Sequence, residues 1–108
     1  MDNKELVVGT TLFVPVSVPG ALFMAADAHA VQGDGEVSIT AIETYFEEVV
    51  LEFIVRKDMS LERPMAESPT HWITMGFNPS LDEALRIALK DAIDFLVDKK
   101  GLSKNGAY

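Results

Sequence analysis

Five polar residues with chemical competence stand close together in the stretch "DAHAVQGDGE", Asp27 to Glu36. It carries three carboxylates, one of the two histidines of the chain, an amide and two glycines. Asp27 and His29 are two residues apart. In extended chain such a pair projects to one side, so both can reach one ion or one water. Imidazole with carboxylate suits Zn²⁺ or a similar divalent metal. The same spacing also fits an Asp that closes a turn and a His bonded to backbone, since a metal site needs three or four ligands. Gln32, Asp34 and Glu36 alternate with Gly33 and Gly35. Glycines admit positive φ and a close ligand. They could aim Asp34 and Glu36 into a pocket, one as a base and the other stabilising developing charge. Alternatively "QGDGE" is the loop of a hairpin, because Asp-Gly is a strong turn signal. The spacing is not that of an EF-hand.

Two further residues are candidates. Glu43 ends the next strand-like run, as a supporting carboxylate or simply an exposed strand end. His71 shares a strand face with Ile73 and Met75, where a histidine is more often a satisfied core residue than a ligand. As a functional residue it is a candidate substrate contact. Trp72 faces the other way and is expected to pack.

Several elements must position these groups. Leu12 to Val14, with Val16 and Val18, reads as a buried strand that Pro15 makes irregular. Pro19-Gly20 is a turn, and Ala21 to Ala26 reads as a short second strand. Val37 to Glu43 alternates as a strand does. So does "YFEEVVLEFIVR", Tyr45 to Arg56, which is rich in β-branched and aromatic residues. A loop holding Pro64 and Pro69 leads to a strand over His71 to Phe77. The helix signal is strongest after Ser80, which with Glu83 forms a capping box. Leu81, Ala84, Leu85, Ala88, Leu89, Ala92, Phe95 and Leu96 give one apolar stripe. Asp82–Arg86 and Lys90–Asp94 are i,i+4 pairs, and Gly101 closes the helix. Ser103 is placed to cap another helix. Strands followed by one long helix make an α+β fold, with mostly antiparallel strands and the helix packed on the sheet. The 108 residues are expected to form a single domain.

Composition narrows the function. The net charge is −8, and ten acidic residues between Asp27 and Glu67 face only Arg56, Lys57 and Arg63. No basic patch exists for a phosphate backbone, so nucleic acid is not the expected partner. A bound cation would relieve the repulsion. The absence of cysteine excludes disulfides and thiolate chemistry. The apolar run Leu12 to Ala26 is too short and too interrupted for a membrane span, and a cytoplasmic setting is expected. A hydrophobic content of 48% hints that some apolar surface is covered by a partner or by further chain. No G-x-S-x-G elbow, H-E-x-x-H helix, P-loop or dinucleotide fingerprint occurs.

The segment "VPVSVPGALFMAADAHAVQGDGEVSITAIE" closely resembles the signature region of the acetamidase/formamidase family. "RPMAESPTHWITMGF" and "LDEALRIALKDAIDFLVDKKGLS" resemble that family too, in the same order, so the likeness covers nearly the whole chain. The resemblance implies hydrolysis of short linear amides, such as formamide or acetamide, to carboxylate and ammonia. It also implies a divalent metal and a homo-oligomer. By position, Asp27 and His29 would be the metal residues, with Gln32, Asp34 and Glu36 lining the pocket and Glu36 as general base. The chemistry implied is metal-assisted attack of water on the amide carbonyl. Full-length members are longer, with a His-Gly-Gly-Asn segment ahead of Met1-Asp2 and more chain after the last helix. Ala26 stands where the family has glycine. The expectation is therefore an amidase segment truncated at both ends. It either retains turnover or folds and oligomerises as a non-catalytic module that binds metal.

Overall fold

A computed structural model describes all residues, 1–108. In chain order the elements are β1 (Thr11–Phe13), β2 (His29–Gln32), a 3-10 segment (Asp34–Ile39), β3 (Ala41–Glu43), β4 (Met65–Glu67), β5 (Trp72–Thr74), α1 (Leu81–Lys100) and α2 (Lys104–Ala107). The fold is α+β, with antiparallel sheets and one long helix. The chain divides into two units, one of residues 1–8 and 16–60, the other of residues 9–15 and 61–108. No helix is long and apolar enough to cross a membrane.

In the second unit β4 lies between β1 and β5, antiparallel to both. Leu12 and Ile73 flank Ala66, which is 0% exposed, and Met65 and Met75 are the other buried residues. The opposite face of this sheet receives α1. Trp72 stacks on Phe13 at 6.0 Å and meets Phe95 of α1 at 4.8 Å between ring centroids. Thr74 Oγ1 donates to the Ala88 carbonyl at 2.9 Å. Trp72 therefore packs, as its strand phase implies. Arg63 clamps Asp91 of α1 with two 2.7 Å bonds, and that carboxylate raises the guanidinium pKa. A paired fork fixes direction as well as distance, so it sets the helix azimuth against β4.

The helix ends follow the sequence in part. Gly101 takes φ 65° and donates to Val97 O at 3.0 Å, Lys90 pairs with Asp94 at 2.7 Å, and Ser103 Oγ caps α2 by accepting from Gly106 N at 3.1 Å. The capping box does not form. Ser80 occupies the N-cap with no side-chain bond. Asn78 Oδ1 instead accepts from Ser80 N at 2.9 Å, and Glu83 pairs with Arg86 at 2.9 Å, one residue closer than the expected Asp82. The stripe is also only partly covered, since Leu81, Leu85 and Leu89 are exposed.

Three strand expectations fail, two for local reasons and one for want of a partner. Ala21 and Leu22 have positive φ (60° and 56°) and close a turn onto Val18 and Gly20, so 21–26 is not extended. Residues 37–39 belong to the 3-10 segment, and β3 begins only at Ala41. Tyr45 to Arg56 joins no ladder. A strand is stable only against a partner strand, and this run finds none within the chain.

One close approach in the second unit dictates its residue. A Cβ on Gly76 would collide with the Ala84 carbonyl and sit 2.9 Å from Ala88 N, both helix backbone. Gly76→Ala should therefore destabilise the chain by about 1–3 kcal/mol, read as a lower urea midpoint at unchanged slope. A second expectation concerns acid. The Lys90 ammonium beside Asp94 holds its carboxyl below the ordinary carboxylate range. The pair's contribution is present above that range and is lost as pH falls through the lowered value. Asp94→Asn should remove this small part of the acid dependence in melts between neutral pH and strong acid, and leave the rest.

Candidate metal centre

The candidate residues lie on and around the β2–β3 hairpin. Gly33 N donates to Thr40 O at 2.8 Å and closes the loop. A Cβ on Gly33 would lie 3.1 Å from that same carbonyl, so the residue type permits the closure. Gln32 pairs with Ala41 and Val31 with Ile42. Continuing that register would set Ala30 against Glu43. A bulge between His29 and Val31 sets His29 there instead. Bulges re-aim side chains in this way, and here the consequence is an imidazole beside a carboxylate.

Asp27 joins them by a turn rather than by strand alternation. Its φ is 70°, so the positive-φ position falls on the acid and not on Ala26. Single ligand atoms of Asp27, His29 and Glu43 all lie within 4.8 Å of one another. The loop adds a fourth group. Gly35 and Glu36 both take left-handed φ (61° and 52°), which carries the Glu36 carboxylate back over the hairpin. Glu36 Oε1 lies 2.8 Å from His29 Nε2, with side-chain exposures of 20% and 10%. A non-glycine residue held at φ 52° is strained, and such strain concentrates where function requires it.

The hydrogen bonding fixes the histidine. His29 Nδ1 is 3.0 Å from the Asp27 carbonyl, which can only accept, so Nδ1 carries the proton. In the neutral ring Nε2 then presents its lone pair to Glu36 Oε1. Two lone pairs at 2.8 Å repel unless positive charge lies beside them. A proton shared between the two groups removes this repulsion, and so does a bound cation. Glu36 Oε1 is buried, and the 2.8 Å contact with His29 Nε2 is the pairing the structure gives it. The donor set of one imidazole and carboxylates is that of Zn²⁺ and similar divalent ions, and the backbone bond to Nδ1 is the usual outer support of such a ligand. The residues fit a divalent metal.

The other expected site residues have different surroundings. Asp34 is 86% exposed and bound to Lys4 at 2.8 Å. Gln32 sits half-buried in β2, opposite Ala41. His71 belongs to the second unit, in the turn from β4 to β5. It is exposed rather than a core residue, its Nδ1 2.7 Å from Thr70 Oγ1 and its amide bonded to Ser68 Oγ. Glu43 is exposed at its strand end and is also a potential ligand. The hairpin signal in "QGDGE" pointed toward it, but the bulge that completes the pairing has no mark in the sequence.

A sequence model of the Acetamidase/Formamidase family matches residues 1–108. The chain belongs to the acetamidase/formamidase family. A Schizosaccharomyces pombe protein named "Putative formamidase" is 32% identical over 96 residues, covering 77% of this chain and 23% of that protein. The amidase-family chain thus spans 23% of the length of the curated relative it matches. No solved structure gives a significant match.

His29→Ala and Glu43→Gln should each weaken Zn²⁺ binding by more than the roughly 10–100-fold typical of an outer-shell change. Asp34→Asn should leave it unchanged. Competition with a coloured chelator measures all three, and equal affinities throughout would remove Asp27, His29 and Glu43 as the site.

Proposed function

We propose that this chain carries the metal-holding part of an amidase site and serves the hydrolysis of short linear amides. Asp27, His29 and Glu43 hold a divalent cation, Zn²⁺ being the best match to the donors. When bound, such a cation polarises the amide carbonyl and makes water a better nucleophile. Glu36 takes a proton from the attacking water as the C–O bond forms. It returns that proton to nitrogen as the C–N bond breaks, giving carboxylate and ammonia. His29 keeps its orientation through the bond from Nδ1 to the Asp27 carbonyl. Gln32 contacts the amide, and Asp34 orients the loop through Lys4. The observation that carries the reading is the cluster of Asp27, His29 and Glu43 ligand atoms within 4.8 Å of one another, with the buried Glu36 carboxylate 2.8 Å from His29 Nε2. Family membership and the name of the yeast relative support the substrate class. A cytoplasmic setting accompanies it, in a chain without cysteine.

A second reading has its own support. Only Met65, Ala66 and Met75 are buried, and large apolar side chains are exposed along much of the sequence. The chain would then bind metal as one module of a longer amidase domain, with turnover requiring the remaining polypeptide. Ammonia release from formamide and acetamide, with and without Zn²⁺, separates the two. Under the first reading turnover is metal-dependent and falls by about 10²–10⁴ in Glu36→Gln while Zn²⁺ still binds. No turnover from a folded, Zn²⁺-loaded chain selects the second, and turnover untouched in Glu36→Gln removes Glu36 from the chemistry.

A further inference from the structure

The run "EEVVLEFIVRK", Glu47 to Lys57, has the composition of a strand and no strand partner. Val50, Ile54 and Val55 are 83%, 67% and 81% exposed. Of the rings, Phe53 meets Phe23 edge-on at 4.8 Å and is still largely exposed. Unpaired backbone with strand-forming side chains is a template for a strand from elsewhere.

Its charge order says what that strand is. Two acids begin the run, two bases end it, and the six residues around the central Glu52 other than that acid are apolar. Placed antiparallel to a copy of itself about Glu52, the run sets Glu47 against the partner's Lys57 and Glu48 against the partner's Arg56. Symmetry makes each pairing twice. Between them Val49 meets the partner's Val55, Val50 the partner's Ile54, and Leu51 the partner's Phe53. Opposite charges and apolar or aromatic pairs directly across a ladder are the favourable cross-strand combinations. The one mismatch is Glu52 against its own counterpart. A shift by one residue in either direction loses half of the charge pairs and sets the lost partners against uncharged or like-charged residues. Arg56 is bound to Asp58 in the single chain, at 2.9 and 2.7 Å. Both side chains are exposed, and surface pairs of that kind exchange at little cost.

The area agrees. The chain exposes 8909 Å². A compact monomer of this mass exposes roughly 6,000 Å², and a permanent homodimer covers roughly 1,000–2,500 Å² on each chain. We infer that residues 47–57 form the interface between two copies of this chain, paired as antiparallel strands about Glu52.

Sedimentation and light scattering on the intact chain test this. Alone, Glu48→Arg and Arg56→Glu each place like charges opposite one another twice, and each should weaken the dimer at least about tenfold. An equimolar mixture places opposite charges at every one of those positions and should restore it. Glu52→Gln should tighten it. Because the chain has no cysteine, Glu52→Cys should form an interchain disulfide under mild oxidation, while Val50→Cys should not. Helical circular dichroism checks that each variant folds. A chain that stays monomeric to about 100 μM, or a dimer insensitive to both charge reversals, overturns the proposal. Two weakened variants that fail to recover on mixing, or a faster crosslink at position 50 than at 52, also overturn it. The first outcome would assign the run to strands of further amidase polypeptide.

Discussion

The candidate site depends on a single irregularity in a two-stranded ladder. Were β2 and β3 paired without the bulge, Ala30 would oppose Glu43 and the imidazole would turn to the other face. With it, His29 stands across from Glu43, the Asp27 carbonyl fixes its tautomer, and the loop returns Glu36 to its free nitrogen. Each contact presupposes the one before. The hairpin closes through Gly33, the loop turns through Gly35, and Glu36 bears a left-handed backbone that an unconstrained glutamate avoids. "QGDGE" is the loop of a hairpin, and that same loop brings the Glu36 carboxylate to His29.

The second unit uses different physics. Its sheet and helix meet through a glycine under the helix backbone, an aromatic trio and one arginine fork. Small residues let backbones approach, and the rings then supply the contact area. Yet only three residues are buried. Leu81, Leu85 and Leu89 on α1 and the apolar residues before Arg56 stay exposed.

Membership in the acetamidase/formamidase family makes sense of this economy. A chain that spans 23% of its yeast relative need not contain a complete core. What it does contain is a local cluster of metal-competent groups, assembled within one hairpin and its flanking turn, which requires few long-range contacts. That explains how a well-formed set of metal-competent groups coexists with so little burial.

Residue order alone determined the elements whose causes are local. The long helix with its Gly101 terminus, the Lys90–Asp94 pair, the Ser103 cap, the antiparallel character and the chemical richness of Asp27 to Glu36 were all legible, because each rests on neighbours within a few positions. Alternation misled where strand formation needed a partner, as at Tyr45 to Arg56, or where positive φ intervened, as at Ala21 and Ser38. Tertiary structure alone decided that Glu43 joins Asp27 and His29, that Asp34 turns to Lys4, and that Glu36 meets His29. The reason is register. A bulge moves the pairing by one residue, and in a ladder one residue is the difference between the two faces.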